Sequence, residues 1–342
     1  MSADTGRNPR RVHTGPAGGL FGEPGFFNRR PASGAPDIDM GYRHRGIEKL
    51  SESRHFSQVV FLTERICGLC SVSHPLAFVS AVEDLAGIEI PERAKYIRTL
   101  AAEMERIQAH LLWLGLAGRL TGYDTLWMWC ARYRAPLLEV CGKIFGNRRN
   151  YAVMKIGGVR RDISVEQGKM IKAALNKLLP KTDMIEKAVE DDPVLGSLLK
   201  GKGVLPREDA RKNCVTGPAA RASDIDIDLR RDEPYAAYPM VEFSVPVLGR
   251  GDLYARAVIR LREIRQSALI IMQCEAALRK TDTPLETKTD EIPPGEGIGR
   301  NESPRGEVFH YLNSRGGNLP YRHRIWDPGF TDIAFGDAGG GS

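Results

Sequence analysis

The sequence predicts an α+β fold that is mainly α: a bundle of long helices with small β-sheets at its edges. Three observations carry that expectation. Apolar residues recur at three- and four-residue steps through Ala94, Ile97, Leu100, Ala101, Met104, Ile107, Leu111 and Leu114. The same period returns far down the chain in Leu253, Val258, Leu261, Ile264, Ala268 and Ile271. Alternation of the strand type is confined to short runs, at Val241, Phe243 and Val245, at Val308–Leu312 and at Tyr321–Ile325.

The elements follow in chain order. Residues 1–40, rich in Gly, Pro and Arg, give little periodic signal; residues 1–55 are expected to form loops and a β-hairpin. A helical core spans 56–300. Pro91 and Glu92 open its first long helix, because proline suits a first turn and an acidic side chain complements the helix dipole there. A second helix fits 124–145, bent or divided at Pro136. Two more fit 164–180 and 183–200. Residues 201–250 read as loop with a strand at Met240–Val247, and Asp252 caps the helix that runs to about Lys280. Residues 281–303, rich in Thr, Pro, Glu and Gly, read as loop. A C-terminal hairpin occupies 301–335, turning at Ser314–Asn318, and 336–342 form a flexible tail.

Composition sets outer limits. The chain has 342 residues, 42% hydrophobic and 27% charged, as folded soluble domains do. Its net charge is +6, but the basic residues are mixed with 43 acidic ones and form no dense run, so no nucleic-acid partner is expected. No run of about 18 uncharged apolar residues marks a membrane span. The N-terminus carries Arg10-Arg11 but no apolar stretch behind it, so no leader is expected either.

Cys67-Gly-Leu-Cys70, with His74 shortly after, is the segment richest in chemistry among six cysteines. Two sulfurs at this spacing reach one soft ion, and thiolates favour nickel, zinc, copper(I) or iron–sulfur clusters over hard cations. By residue type alone a metal site, a redox dithiol and structural thiols all stay open. A structural zinc site lacks its second pair, and the four spaced cysteines of an iron–sulfur cluster are missing, so no such cluster is expected in this chain. Glu48, in His44-Arg-Gly-Ile-Glu-Lys49, could relay protons, although a surface ion pair with Arg45 or Lys49 is the plainer explanation. Arg305, between Pro304 and Gly306, is held in a fixed loop pose. Gly157-Gly158-Val-Arg-Arg-Asp162 reads as a tight turn.

Taken together, HRGIEKL, RICGLCSVSH, GIEIPERAKYIRTLAAEMERIQAHLLWLG, GGVRRDI, TGPAARASDIDIDLRRDEPYAAY and ESPRGE closely resemble the large subunit of membrane-bound, energy-converting nickel–iron hydrogenases and its relative, the 49-kDa subunit of respiratory complex I. The resemblance covers most of residues 40–335. It implies the long-helix fold of that family and a nickel–iron centre held by two CxxC pairs, with Cys67 and Cys70 as the N-terminal pair. It also implies His74 as a supporting residue, Glu48 as the proton carrier and Arg305 as the fixed charge over the open position. Hydrogen oxidation or proton reduction would follow, with electrons passed to a small subunit carrying a 4Fe-4S cluster. Other hydrogenase- or complex I-like subunits, some in the membrane, would complete an assembly docked on the cytoplasmic face.

Two departures matter. No cysteine follows Cys274, so the second CxxC is missing; either the sequence is clipped or it is a natural homologue without the full cofactor. Phe78 stands where the complex I relative has its quinone-binding tyrosine, and it has no hydroxyl to offer a quinone. Quinone reduction, or a coupling subunit without metal, as in relatives that reduce sulfur compounds, are the alternatives.

Overall fold

The computed structural model describes residues 44–288 and 291–329, together with the backbone of β1 (Val12–His13) and β2 (Ile38–Asp39). Those two short strands pair parallel, so no hairpin joins them. The rest of residues 1–43 and the expected tail at 336–342 lie outside the described residues. Helices α1 (Ile47–Ser51), α2 (Phe56–Thr63) and α3 (Ser73–Ala86) lead into the long helices α4 (Glu92–Leu120) and α5 (Asp124–Phe145). A small hairpin, β3 (Met154–Lys155) and β4 (Gly158–Val159), precedes α6 (Val165–Asp191) and α7 (Pro193–Leu199). Short helices α8 (Arg207–Lys212), α9 (Gly217–Ala222) and α10 (Leu229–Asp232) lead to α11 (Leu253–Leu278). An antiparallel sheet, β5 (Ile292–Ser303), β6 (Gly306–Gly317) and β7 (Arg322–Trp326), closes the described chain. The fold is mainly helical with small antiparallel sheets, as the periodicity predicts.

Helices α4, α5, α6 and α11 pack side by side around the core. Every apolar residue of the periodic sets in α4 and α11 is buried. Asp252 Oδ1 accepts from Ala255 N at 2.9 Å, the expected cap of α11. Helix α5 keeps its expected span, undivided at Pro136. Three expectations change. Helix α6 runs unbroken through Pro180, because Leu175, Leu178, Ile185 and Val189 bury one stripe and that packing outweighs the cost of one proline. Met240–Val247 forms no strand; it lies along α11, where Gln273 and Gln266 accept from Glu242 N and Ser244 N, both at 2.9 Å. The expected loop 281–303 contains β5, so the sheet starts before the expected boundary at 300.

Glycine explains that last miss. Strand β5 lies directly on α3, and a Cβ at Gly299 would stand 1.9 Å from the Ala77 carbonyl oxygen, one at Gly297 2.1 Å from that of Ala81. Residues that read as loop-formers are the ones that let a strand touch a helix backbone.

Buried charge locks the β5–β6 turn to the bundle. Arg106 of α4 donates to the carbonyls of Glu302 at 2.6 Å and Ser303 at 3.1 Å. Arg221 of α9 bonds Glu302 Oε1 at 2.8 Å and Glu263 of α11 at 2.8 Å. Arg305 sits on this turn, so its position is fixed by helices from three parts of the chain.

Candidate active site

The loop between α2 and α3 turns Cys67 and Cys70 toward one another, with their sulfurs 2.8 Å apart. Arg45 Nη2 pins this loop through the Ile66 carbonyl at 2.7 Å. Arg305 reaches in from the β5–β6 turn: its Nη2 bonds Cys70 Sγ and lies 3.4 Å from Cys67 Sγ. The hydrogen bond from Cys70, aided by the Arg305 charge, holds the Cys67 thiol well below its usual range against its burial. Burial, with Cys67 beside it, pushes Cys70 well above. The two sulfurs are thus pushed in opposite directions, Cys67 toward the thiolate and Cys70 toward the thiol. Burial opposes the charge on Arg305, yet the two sulfurs and Asp327 outweigh it. Arg305 Nε is buried and has no hydrogen-bond partner among the described residues.

Helix α3 begins just behind the thiols, and a side chain from α4 caps it. Glu105 accepts from Val72 N at 2.6 Å and Ser73 N at 3.2 Å, and bonds the Ser73 hydroxyl as well. Burial nonetheless pushes its carboxyl up to about 7. His74, in the first turn of α3, bonds Asp327 Oδ2 through Nε2 at 3.1 Å. Burial opposes charge on Asp327, but the His74 bond and Arg305 hold it well below the usual carboxylate range. Cys70, His74 and Asp327 bring their donor atoms within 4.8 Å of one another.

Of the residues singled out by sequence, Cys67, Cys70 and Arg305 converge, and His74 stands beside them through Asp327. Glu48 bonds Arg324 Nη1 and Ile325 N on β7, both at 2.9 Å, just before Asp327 in the chain. Asp327, Glu105, His310 and His323 are additions that sequence reasoning missed. A buried histidine on a strand looks like any polar residue of an exposed face, and Glu105 sits in a helix whose charges read as solvated. Phe78 is fully buried, its ring 5.2 Å from that of His323.

A buried two-sulfur site under a fixed guanidinium, on a long-helix scaffold, defines a redox protein of the hydrogenase and complex I type. The chain belongs to that family: residues 121–291 and 285–338 match the respiratory-chain NADH dehydrogenase 49 Kd subunit family, and residues 45–116 match the nickel-dependent hydrogenase family. It is 36% identical over 321 residues to an NADH-quinone oxidoreductase subunit of Koribacter versatilis, covering 86% of this chain and 80% of that one. It is 37% identical over 315 residues to the alpha subunit of the membrane-bound hydrogenase of Pyrococcus furiosus, covering 87% and 73%. Among solved structures, the membrane-bound sulfane sulfur reductase, an archaeal respiratory membrane complex, superposes with a TM-score of 0.80 at 32% identity, over 85% of this chain and 80% of that one. The chain is thus an oxidoreductase-family subunit whose relatives work in multisubunit membrane complexes. Among its described residues no helix is long and apolar enough to cross a membrane.

Proposed function

We propose that this chain is the hydrogen-handling redox subunit of a membrane-associated complex, with Cys67 and Cys70 as the donors at its reacting centre. The convergence of the two sulfurs beneath Arg305 carries this reading. The donors fit half of a nickel–iron ligand set: both are soft, Cys67 is pushed toward its anionic form, and a buried Arg305 Nε beside them has no partner among the described residues. The sequence carries no second CxxC pair, so these two thiols supply half of the family's ligand set. When bound, such a centre would supply a soft electron-accepting site for splitting hydrogen. Arg305 contributes a fixed positive charge at the sulfurs, and it stays protonated, which suits electrostatic stabilisation rather than proton abstraction. Electrons would pass to an iron–sulfur partner protein, and docking on membrane subunits would place this chain at the inner face of the membrane. A quinone reaction is disfavoured by Phe78, which offers no hydroxyl and packs on His323.

A second reading is favoured by the thiolate–thiol pair itself. Thiolate Cys67 would attack one sulfur of a polysulfide R–S–S–R′, forming a mixed disulfide with RS and releasing R′S⁻. Cys70 would then give up its proton, displace RS⁻ and close a disulfide with Cys67, which two electrons from the partner and one proton reopen to the starting thiolate and thiol. Elemental analysis of the complex, purified with its maturation enzymes, separates the two. Nickel and iron bound at one atom each per chain are expected for hydrogen chemistry. Their absence, with stoichiometric oxidation of two thiols by polysulfide, would overturn that reading in favour of the second.

A further inference from the structure

Leading away from the thiols, Asp327, His74, His310, His323 and Ser51 form one unbroken hydrogen-bonded line. His74 Nε2 lies 3.1 Å from Asp327 Oδ2, and His74 Nδ1 3.1 Å from His310 Nε2. His310 Nδ1 is 3.0 Å from His323 Nε2, and His323 Nδ1 is 3.0 Å from Ser51 Oγ. Ser51 Oγ in turn lies 2.8 Å from the Ile47 carbonyl oxygen. The three imidazoles come from α3, β6 and β7 and, like Ser51 at the end of α1, are fully buried. Histidines stacked this way serve no packing need that apolar residues would not meet better.

We propose that this line is a proton relay between Ser51 and the thiol site, and that it works by switching the tautomers of His310 and His323 without charging either. Counting hydrogens sets the direction of every bond. A neutral imidazole carries one N–H, and the Asp327 carboxylate only accepts. In the neutral line each histidine therefore holds its proton on Nε2 and donates toward Asp327, while the Ser51 hydroxyl donates to His323 Nδ1. A proton arriving at Ser51 replaces the hydroxyl hydrogen as that hydrogen passes to His323 Nδ1. The Nε2 proton of His323 moves to His310 Nδ1, and that of His310 moves to His74 Nδ1. His74 ends with both nitrogens protonated, beside Asp327. The Ser51 hydroxyl now donates to Ile47 O, so each N–H and O–H of the line keeps a partner and no heavy atom has moved. One proton has gone in and one charge has appeared at the thiol end; run backwards, the same steps carry a proton released there to α1.

The surroundings agree. Burial pushes His310 well below its usual range and His323 down to about 3, so both stay neutral carriers. Among the described residues, the charged groups that the line meets lie at its ends: Asp327, Arg305 and the two sulfurs at one, with Glu105 beneath Ser73, and Glu52 with its partners Lys49 and Arg322 at the other. The relay serves hydrogen chemistry and thiol chemistry alike, so it does not depend on which of the two is correct.

The test is histidine nitrogen NMR on the full chain, labelled with ¹⁵N at histidine and titrated with pH. As pH falls, His310 and His323 are expected to switch from Nε2–H to Nδ1–H together, at one midpoint, both remaining neutral. Ser51→Ala removes the acceptor of the protonated line and should lower that midpoint by about one pH unit, a lost hydrogen bond's worth; Ser51→Thr should restore it. Fixed tautomers at His310 and His323, a switch at one histidine without the other, or a midpoint indifferent to Ser51→Ala would each overturn the relay. The readout involves neither metal nor turnover, so it stands or falls apart from the assignment of the reaction.

Discussion

Glu105 is the residue on which the shape of the site turns. Its carboxylate caps α3 and so orients both His74 and the loop carrying the thiols. Burial raises its carboxyl to about 7, against an ordinary value of 4.5. The folded state therefore holds a proton that the unfolded chain releases, and stability is fully present below pH 4.5 and lost as pH rises through 7. The expected loss is at most about 3 kcal/mol. Urea denaturation on either side of this window, near pH 4.5 and above 7, should show a falling midpoint in the native chain and a flatter one in Glu105→Gln. Equal pH dependence in both would refute the assignment. At this scale the sequence was only half legible. Cys67 and Cys70 announce themselves because their spacing is local. Glu105, Asp327, His310 and His323 do not, because each acquires its role from a partner far away in the chain. Glu48, conspicuous in sequence, is joined by the fold to β7 through Arg324 and Ile325.

The contact of β5 with α3 decides where the Arg305 turn lies. Gly297 and Gly299 face the carbonyls of Ala81 and Ala77 at distances no side chain tolerates. Gly299→Ala should therefore cost more than about 3 kcal/mol, read as a lowered urea midpoint, since the obstacle is backbone and cannot swing aside. A variant as stable as the native chain would show that the strand does not rest on α3. The long helices were legible because α4 and α11 repeat an apolar period over many turns and cap as their sequences suggest. Strand β5 was not, because Pro293, Pro294 and three glycines within it carry loop chemistry, and only its partner on α3 makes them strand residues. The expected end of a helix at Pro180 misled in the same way, since packing carries α6 through it, whereas α5 keeps its expected span.

Across the whole molecule, the site is assembled from the loop before α3, the β5–β6 turn, the end of β7 and the flank of α4. The buried ion network of Arg106, Arg221, Glu263 and Glu302 ties these parts together. A network this buried adds little net stability, yet removing one partner leaves an uncompensated charge, so it acts as a fixed jig for Arg305. Kinship with hydrogenases and NADH-quinone oxidoreductases gives the scaffold, and the relatives work in membrane complexes; the proposed reaction rests on the sulfur pair. Turnover of the assembled complex carrying Cys67→Ser puts that dependence on the sulfurs to the test. Whichever of hydrogen–deuterium exchange and polysulfide reduction the native complex carries out should be lost while the complex still assembles. Either activity persisting at the native rate would contradict a sulfur-centred reaction.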